Sequence, residues 1–265
     1  MIRLPRRSAA ALLILLGWQA VLSAASPSAE TVDVTVRGRQ VPLTLYVPAA
    51  GMIKGTVIIG SGDVGWVGLA VTVSEYLVEQ GYVVAGVNVR RYLSAFTTGK
   101  DHASVADIAR DYKTFAKDLK SRGLLRQPVV VSGVSEGAAL AIAAGAAADN
   151  RDWVAGVLTM GLPASAELAW HWSDFSSWIT KRDANEPSFA PGELIAKIAP
   201  TPLWMIQSTQ DEYVPEGDYR RFAATAGDPK RLVLIDASNH RFTDRLPELE
   251  RQVSIGLAWI AAGGH

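Results

Sequence analysis

The chain has 265 residues, with 26 basic and 26 acidic side chains, and a zero net charge excludes a protein built to collect nucleic-acid phosphates. At 49% hydrophobic and 20% charged residues, the composition is that of a globular chain of one domain or two small ones. There is no cysteine, which removes disulfides, thiolate metal sites, a Cys nucleophile and a lipobox acylation site. His102, His171, His240 and His265 are the only imidazoles, so chemistry that needs one has few candidates.

Arg3, Arg6 and Arg7 precede an apolar run from Ala9 to Trp18, and Ser23, Ala24 and Ala25 then lead into Ser-Pro-Ser. This three-part layout predicts a secretory signal peptide over residues 1–25, removed to leave a domain of residues 26–265 outside the cytoplasm, secreted or periplasmic. The apolar run is shorter than the ~20 residues a membrane span needs, so no stable span is expected after its removal.

Beyond it, strand and helix patterns alternate. Thr31 to Val36 and Val41 to Val47 alternate apolar and polar residues around Arg37-Gly38-Arg39, predicting a hairpin. Thr56 to Ile59 is a short apolar run, followed by a Gly-rich loop and a helical pattern from Leu69 to Glu79. Tyr82 to Val89 repeats the strand signal. From Val105 to Leu119, the residues Ile108, Tyr112, Phe115 and Leu119 share one helical face. Gln127 to Val131, Val154 to Met160, Pro202 to Gln207 and Arg231 to Ile235 read as further strands. Ala138 to Ala148 and Leu246 to Ala262 read as helices. This rhythm predicts an α/β fold, a mostly parallel central sheet with helices on both faces.

Gly133-Val134-Ser135-Glu136-Gly137 lies between an apolar strand and an Ala-rich helix, the context of a nucleophile elbow. A serine exposed on so tight a turn needs neighbours without side chains two positions before and after it, and both are glycine. Its hydroxyl needs a histidine base and an orienting carboxylate, in the order Ser, acid, His. Asp211 follows the strand ending at Gln207, with Glu212 in reserve, and His240 follows the next strand. Catalytic roles are therefore expected for Ser135, Asp211 and His240.

At the elbow and these two loops the sequence resembles the α/β-hydrolase fold family over about residues 30 to 265. Within it, Ser61-Gly62-Asp63-Val64-Gly65-Trp66 and Arg91-Tyr92 look like the bacterial VirJ/AcvB virulence-factor hydrolases, periplasmic proteins associated with cleavage of aminoacylated phosphatidylglycerol. The chain departs from that pattern at Val64, where glycine is usual, at Leu93, where an aromatic is usual, and at Glu136. It also lacks cysteines near the acid.

Gly60-Ser61-Gly62-Asp63-Val64-Gly65 also spells G-x-G-x-x-G after a strand, which allows a second reading as a dinucleotide site, with Asn88, Arg90 and Arg91 facing a phosphorylated ribose. Under the hydrolase reading the same loop supplies an oxyanion-binding N–H from Gly62 or Asp63, beside the N–H of Glu136. The stretch of about 164–199 breaks the rhythm and predicts a small lid insertion. Trp170, Trp172 and Trp178 there, with Trp66, are expected to contact substrate. The expected function is hydrolysis of a small-molecule or lipid ester with no metal, no organic cofactor and no nucleic-acid partner. The alternatives are a non-catalytic envelope interaction protein on the same fold and an NADP-binding oxidoreductase.

Overall fold

The computed structural model describes residues 29–49, 51–99, 101–171 and 187–265. The chain enters as a hairpin of β1 (Ala29–Val36) and β2 (Arg39–Tyr46), paired antiparallel with Val36 opposite Arg39. Arg37 and Gly38 turn it with φ of 45° and 76°, the positive values that suit the twist of a two-residue hairpin. β3 (Gly55–Gly60), β4 (Tyr82–Val87), β5 (Val129–Val134), β6 (Gly156–Met160) and β9 (Leu203–Ser208) are buried along their whole length. Continuous apolar runs are what strands covered on both faces require. β10 (Lys230–Ile235) is half-exposed at the edge.

The eight strands stand in the order β1-β2-β4-β3-β5-β6-β9-β10. β2 meets β4 antiparallel, and every pairing from β4 to β10 is parallel. One face is covered by α1 (Leu69–Glu79) and α6 (Leu246–Ala261). The other carries α2 (Val89–Phe96), α3 (Val105–Ser121), α4 (Glu136–Ala146) and α5 (Glu216–Thr225). This is the mostly parallel sheet, covered on both faces, that the sequence rhythm predicts. In α3 the residues Ile108, Tyr112, Phe115 and Leu119 are all fully buried, and each such apolar side chain contributes roughly 1.5–3 kcal/mol. Ser104 and Asp107 close a capping box at its start.

Two elements differ from expectation. The strand predicted to reach Val89 stops at Val87, because the Asn88 side chain accepts the N–H of Arg91 and starts α2. Asn88 is thus spent on a helix cap, and Arg90 lies over the Trp170 ring, 4.1 Å from its centroid; the ribose-phosphate role read for them is replaced by these contacts. β5 also runs on to Val134, so the helix after it starts at Glu136 with only Ser135 between. In the stretch of about 164–199, the described part holds a two-residue ribbon, β7 (Ala166–Glu167) paired with β8 (Ser188–Phe189), and turns that bury Ile195 and Ile198. The leader expected over residues 1–25 lies outside the described residues.

Candidate active site

The end of β5 and the start of α4 meet at Ser135, whose φ of 52° and ψ of −119° no ordinary strand or helix residue adopts. Side chains rarely tolerate that region, at a cost of order 1–3 kcal/mol, and it persists only where the surroundings enforce it. Here close backbone packing enforces it. A Cβ on Gly133 would lie 2.0 Å from the Gly137 carbonyl carbon, and one on Gly137 would lie 2.2 Å from the Gly60 oxygen. The Gly137 N–H donates to Ser61 O at 2.9 Å, binding the elbow to the loop after β3. Gly137→Ala should therefore destabilise the fold by about 3 kcal/mol or more, since neither backbone can retreat. Urea unfolding measures this, and a loss under about 1 kcal/mol would contradict the packing argument.

Asp211 and His240 arrive on the loops after β9 and β10. His240 Nδ1 lies 2.7 Å from Asp211 Oδ2, and a ring nitrogen facing a carboxylate carries the proton. The Asp211 side chain has no exposed surface and that of His240 has 8%. Asp211 Oδ1 accepts the N–H groups of Tyr213 and Val214, both at 2.9 Å. Glu212, the reserve acid, accepts the backbone N–H of His240 at 2.8 Å and so holds the loop rather than the ring. Phe242, fully buried, anchors that loop in the core. Gly161 makes room for the imidazole, because a Cβ there would stand 2.6 Å from His240 Cε1.

Ser135 and His240 line one cavity of about 470 Å³, together with Gly62, Asp63, Glu136, Leu69, Tyr213 and Arg241 among others. His240 Nε2 is buried without a hydrogen-bond partner, so the Ser135 hydroxyl does not bond it in this state; catalytic hydrogen bonds commonly tighten only when substrate is bound. Among the described residues, no acceptor takes the backbone N–H of Gly62, Asp63 or Glu136. Glu136 opens α4, where helix starts leave such donors free, Gly62 and Asp63 sit in the loop after β3, and free donors suit an anion. Gly62 is in contact range of Ser135, since a Cβ on it would lie 3.6 Å from the serine Cβ.

Of the tryptophans expected to contact substrate, Trp66 and Trp170 stand outside this cavity. Trp66 packs over Gly86 in β4, where any side chain would collide with its ring, and its Nε1 donates to the Tyr46 hydroxyl at 3.3 Å. Trp170 is held by Arg90 and by a bond from its backbone N–H to Thr97 Oγ1. Neither lines the cavity. Trp172 and Trp178 lie outside the described residues.

Two contributions went unread in the sequence. Gln207 donates from Nε2 to Asp211 Oδ2 at 2.7 Å; its only signal is a polar residue in an apolar strand. The Glu136 side chain also matters, since its carboxylate accepts the N–H of Glu167 in β7 at 3.2 Å. Burial first, then the charges of Glu167 and Asp63, push the Glu136 carboxyl up to about 8. Unfolded, it would titrate near 4.5, so the stability that goes with its neutral form is complete below about pH 4.5 and is lost as pH rises through about 8. Glu136→Gln should consequently raise the unfolding temperature more above pH 8 than below pH 4.5. Calorimetry at both ends checks this, and equal differences would overturn it.

Strand order, crossovers and an elbow after β5 define the α/β-hydrolase fold. Solved structures that share it include the α/β hydrolase GrgF from Penicillium sp. sh18, with a TM-score of 0.67 at 13% identity over 88% of this chain and 99% of that one. The Pyrococcus furiosus esterase Pf2001 gives 0.65 at 19% over 88% and 90%, and Est1E from Butyrivibrio proteoclasticus gives 0.64 at 14% over 88% and 99%. At such identities the likeness is one of fold. No curated protein matches the sequence. The profile of the family described as bacterial virulence protein (VirJ) matches residues 55–224, and the chain belongs to that family.

Proposed function

We propose that the protein is an exported serine hydrolase that cleaves an ester through an acyl-enzyme. The observation that carries this reading is the bond from His240 to a buried Asp211, with the other ring nitrogen unpartnered at the wall of the cavity that Ser135 lines. Ser135 Oγ attacks the ester carbonyl as its proton passes to His240 Nε2. The N–H of Glu136, with that of Gly62 or Asp63, takes the developing oxyanion. His240 returns the proton to the leaving alcohol, then takes one from a water that attacks the acyl carbon and passes it to Ser135 Oγ as the Oγ–acyl bond breaks and the acid leaves, while Asp211 keeps the Nδ1 proton in place throughout. Export rests on the leader of residues 1–25, and the stretch of about 164–199 serves as the lid.

For substrate class, the acids around the serine favour an aminoacyl ester, including one on a phospholipid. Asp63 and Glu136 line the cavity beside Ser135, the charges of Glu167 and Asp63 add to burial in raising the Glu136 carboxyl, and an ammonium group on the acyl part would offset that negative charge. Membership of the VirJ family is compatible with this.

The test is to treat folded protein with a fluorophosphonate, locate the label, and then assay a panel of neutral acyl esters and aminoacylated phospholipids. Labelling at Ser135 with faster turnover of aminoacyl esters is expected. An unlabelled protein would leave the non-catalytic interaction reading, and faster turnover of neutral esters would overturn the aminoacyl preference.

A further inference from the structure

Gln207 sits near the end of β9, where the residues before it are Leu203, Trp204, Met205 and Ile206, and it is 2% exposed. A buried amide in an apolar strand is unfavourable unless its polar atoms are met. Its Nε2 donates to Asp211 Oδ2 at 2.7 Å, the same oxygen that faces His240 Nδ1 at 2.7 Å. The other oxygen is already held by the N–H groups of Tyr213 and Val214. Four donors thus fill the lone-pair positions of one buried carboxylate.

The two groups of donors do different work. Tyr213 and Val214 belong to the same loop as Asp211 and bind a single oxygen, which leaves the second oxygen free to swing about it. Gln207 fixes that second oxygen from a strand hydrogen-bonded on both sides, to β6 and to β10. With Glu212 holding the His240 backbone, the β9 end of the sheet constrains both partners of the acid–imidazole bond.

We infer that Gln207 is a positioning residue of the proposed hydrolase, one that sets Asp211 Oδ2 where the imidazole N–H must meet it. The inference rests on the triad reading above.

Gln207→Met keeps the length of the side chain and removes its donors. It should lower kcat roughly 10- to 100-fold with KM changed by less than about twofold, since misplacement of the base by a fraction of an ångström acts on the chemical step. The low-field proton resonance of the His240 Nδ1–H should shift or broaden. Gln207→Glu gives a second signature: its acid form can donate an O–H to Oδ2, whereas its charged form repels that oxygen. Turnover relative to the parent should then fall as pH rises for Gln207→Glu and stay flat for Gln207→Met.

Folded Gln207→Met with parental kcat and an unmoved resonance would overturn the inference, as would a flat ratio for Gln207→Glu or failure of both variants to fold, which would make the amide structural. A parent that takes no label at Ser135 overturns the triad reading instead, and the resonance still reports whether the amide orients the Asp211–His240 pair.

Discussion

Ser135→Ala should lower ester turnover by roughly 10⁵- to 10⁶-fold, leaving a residual acceleration of about 10³- to 10⁴-fold over water from the oxyanion site and substrate binding. The fold should barely notice. Ser135 precedes α4 but makes no side-chain cap bond, and its N–H, which donates to Met160 O at 2.9 Å, remains in alanine. Alanine keeps the Cβ, so the strain at φ 52° is the same in both proteins. Unfolding free energies should agree within about 1 kcal/mol, because a hydroxyl that bonds nothing contributes little. A serine placed at a strained position with an idle hydroxyl is otherwise hard to account for. Initial rates on the best ester of the panel and urea unfolding of both proteins check the two halves. Turnover within tenfold of the parent would remove Ser135 as the nucleophile.

Much of this architecture was legible because the signals are local. β-branched runs such as Val129 to Val131 declare a doubly covered strand whatever lies beside them, and the apolar face of α3 needs only a helical period. The elbow, the acid and the histidine could be read for the same reason: each sits just past a strand, and in parallel sheets those ends share a rim. What escaped depends on which distant segments meet. Arg90 and Arg91 read as ribose-phosphate contacts at the end of a strand, and only the cap from Asn88 and the packing of Tyr92 and Leu93 reveal a helix. Trp66 was expected beside substrate, yet the space above Gly86, on a strand that comes later in the chain, takes its ring. Gln207 resembles a strand end until the loop of Asp211 folds over it. Glu136 follows from the elbow motif only as a backbone donor; its weakened acidity comes from burial first, then from Glu167, beyond β6, and Asp63.

Asp211→Asn should be the second most damaging change, lowering kcat by about 10⁴-fold with little loss of structure, because its effect is to impose the wrong tautomer. The surroundings dictate how the new amide must sit. The N–H groups of Tyr213 and Val214 both point at the position of Oδ1, so the carbonyl oxygen of asparagine must face them. Its NH₂ then replaces Oδ2 and meets His240 Nδ1, which can answer only as an acceptor. The ring proton moves to Nε2, the nitrogen that has to be empty to receive a proton from Ser135. Gln207 Nε2 would likewise oppose a donor, so its amide should turn over and present oxygen. Rescue follows from the same logic: at high pH the serine hydroxyl can lose its proton to hydroxide without an imidazole base, so the deficit relative to the parent should shrink as pH rises. The measurement is kcat for both proteins across the alkaline range, with the His240 ring tautomer read by nitrogen NMR. An asparagine variant with parental kcat, or with the proton still on Nδ1, would contradict the assignment of Asp211 as the residue that orients the base.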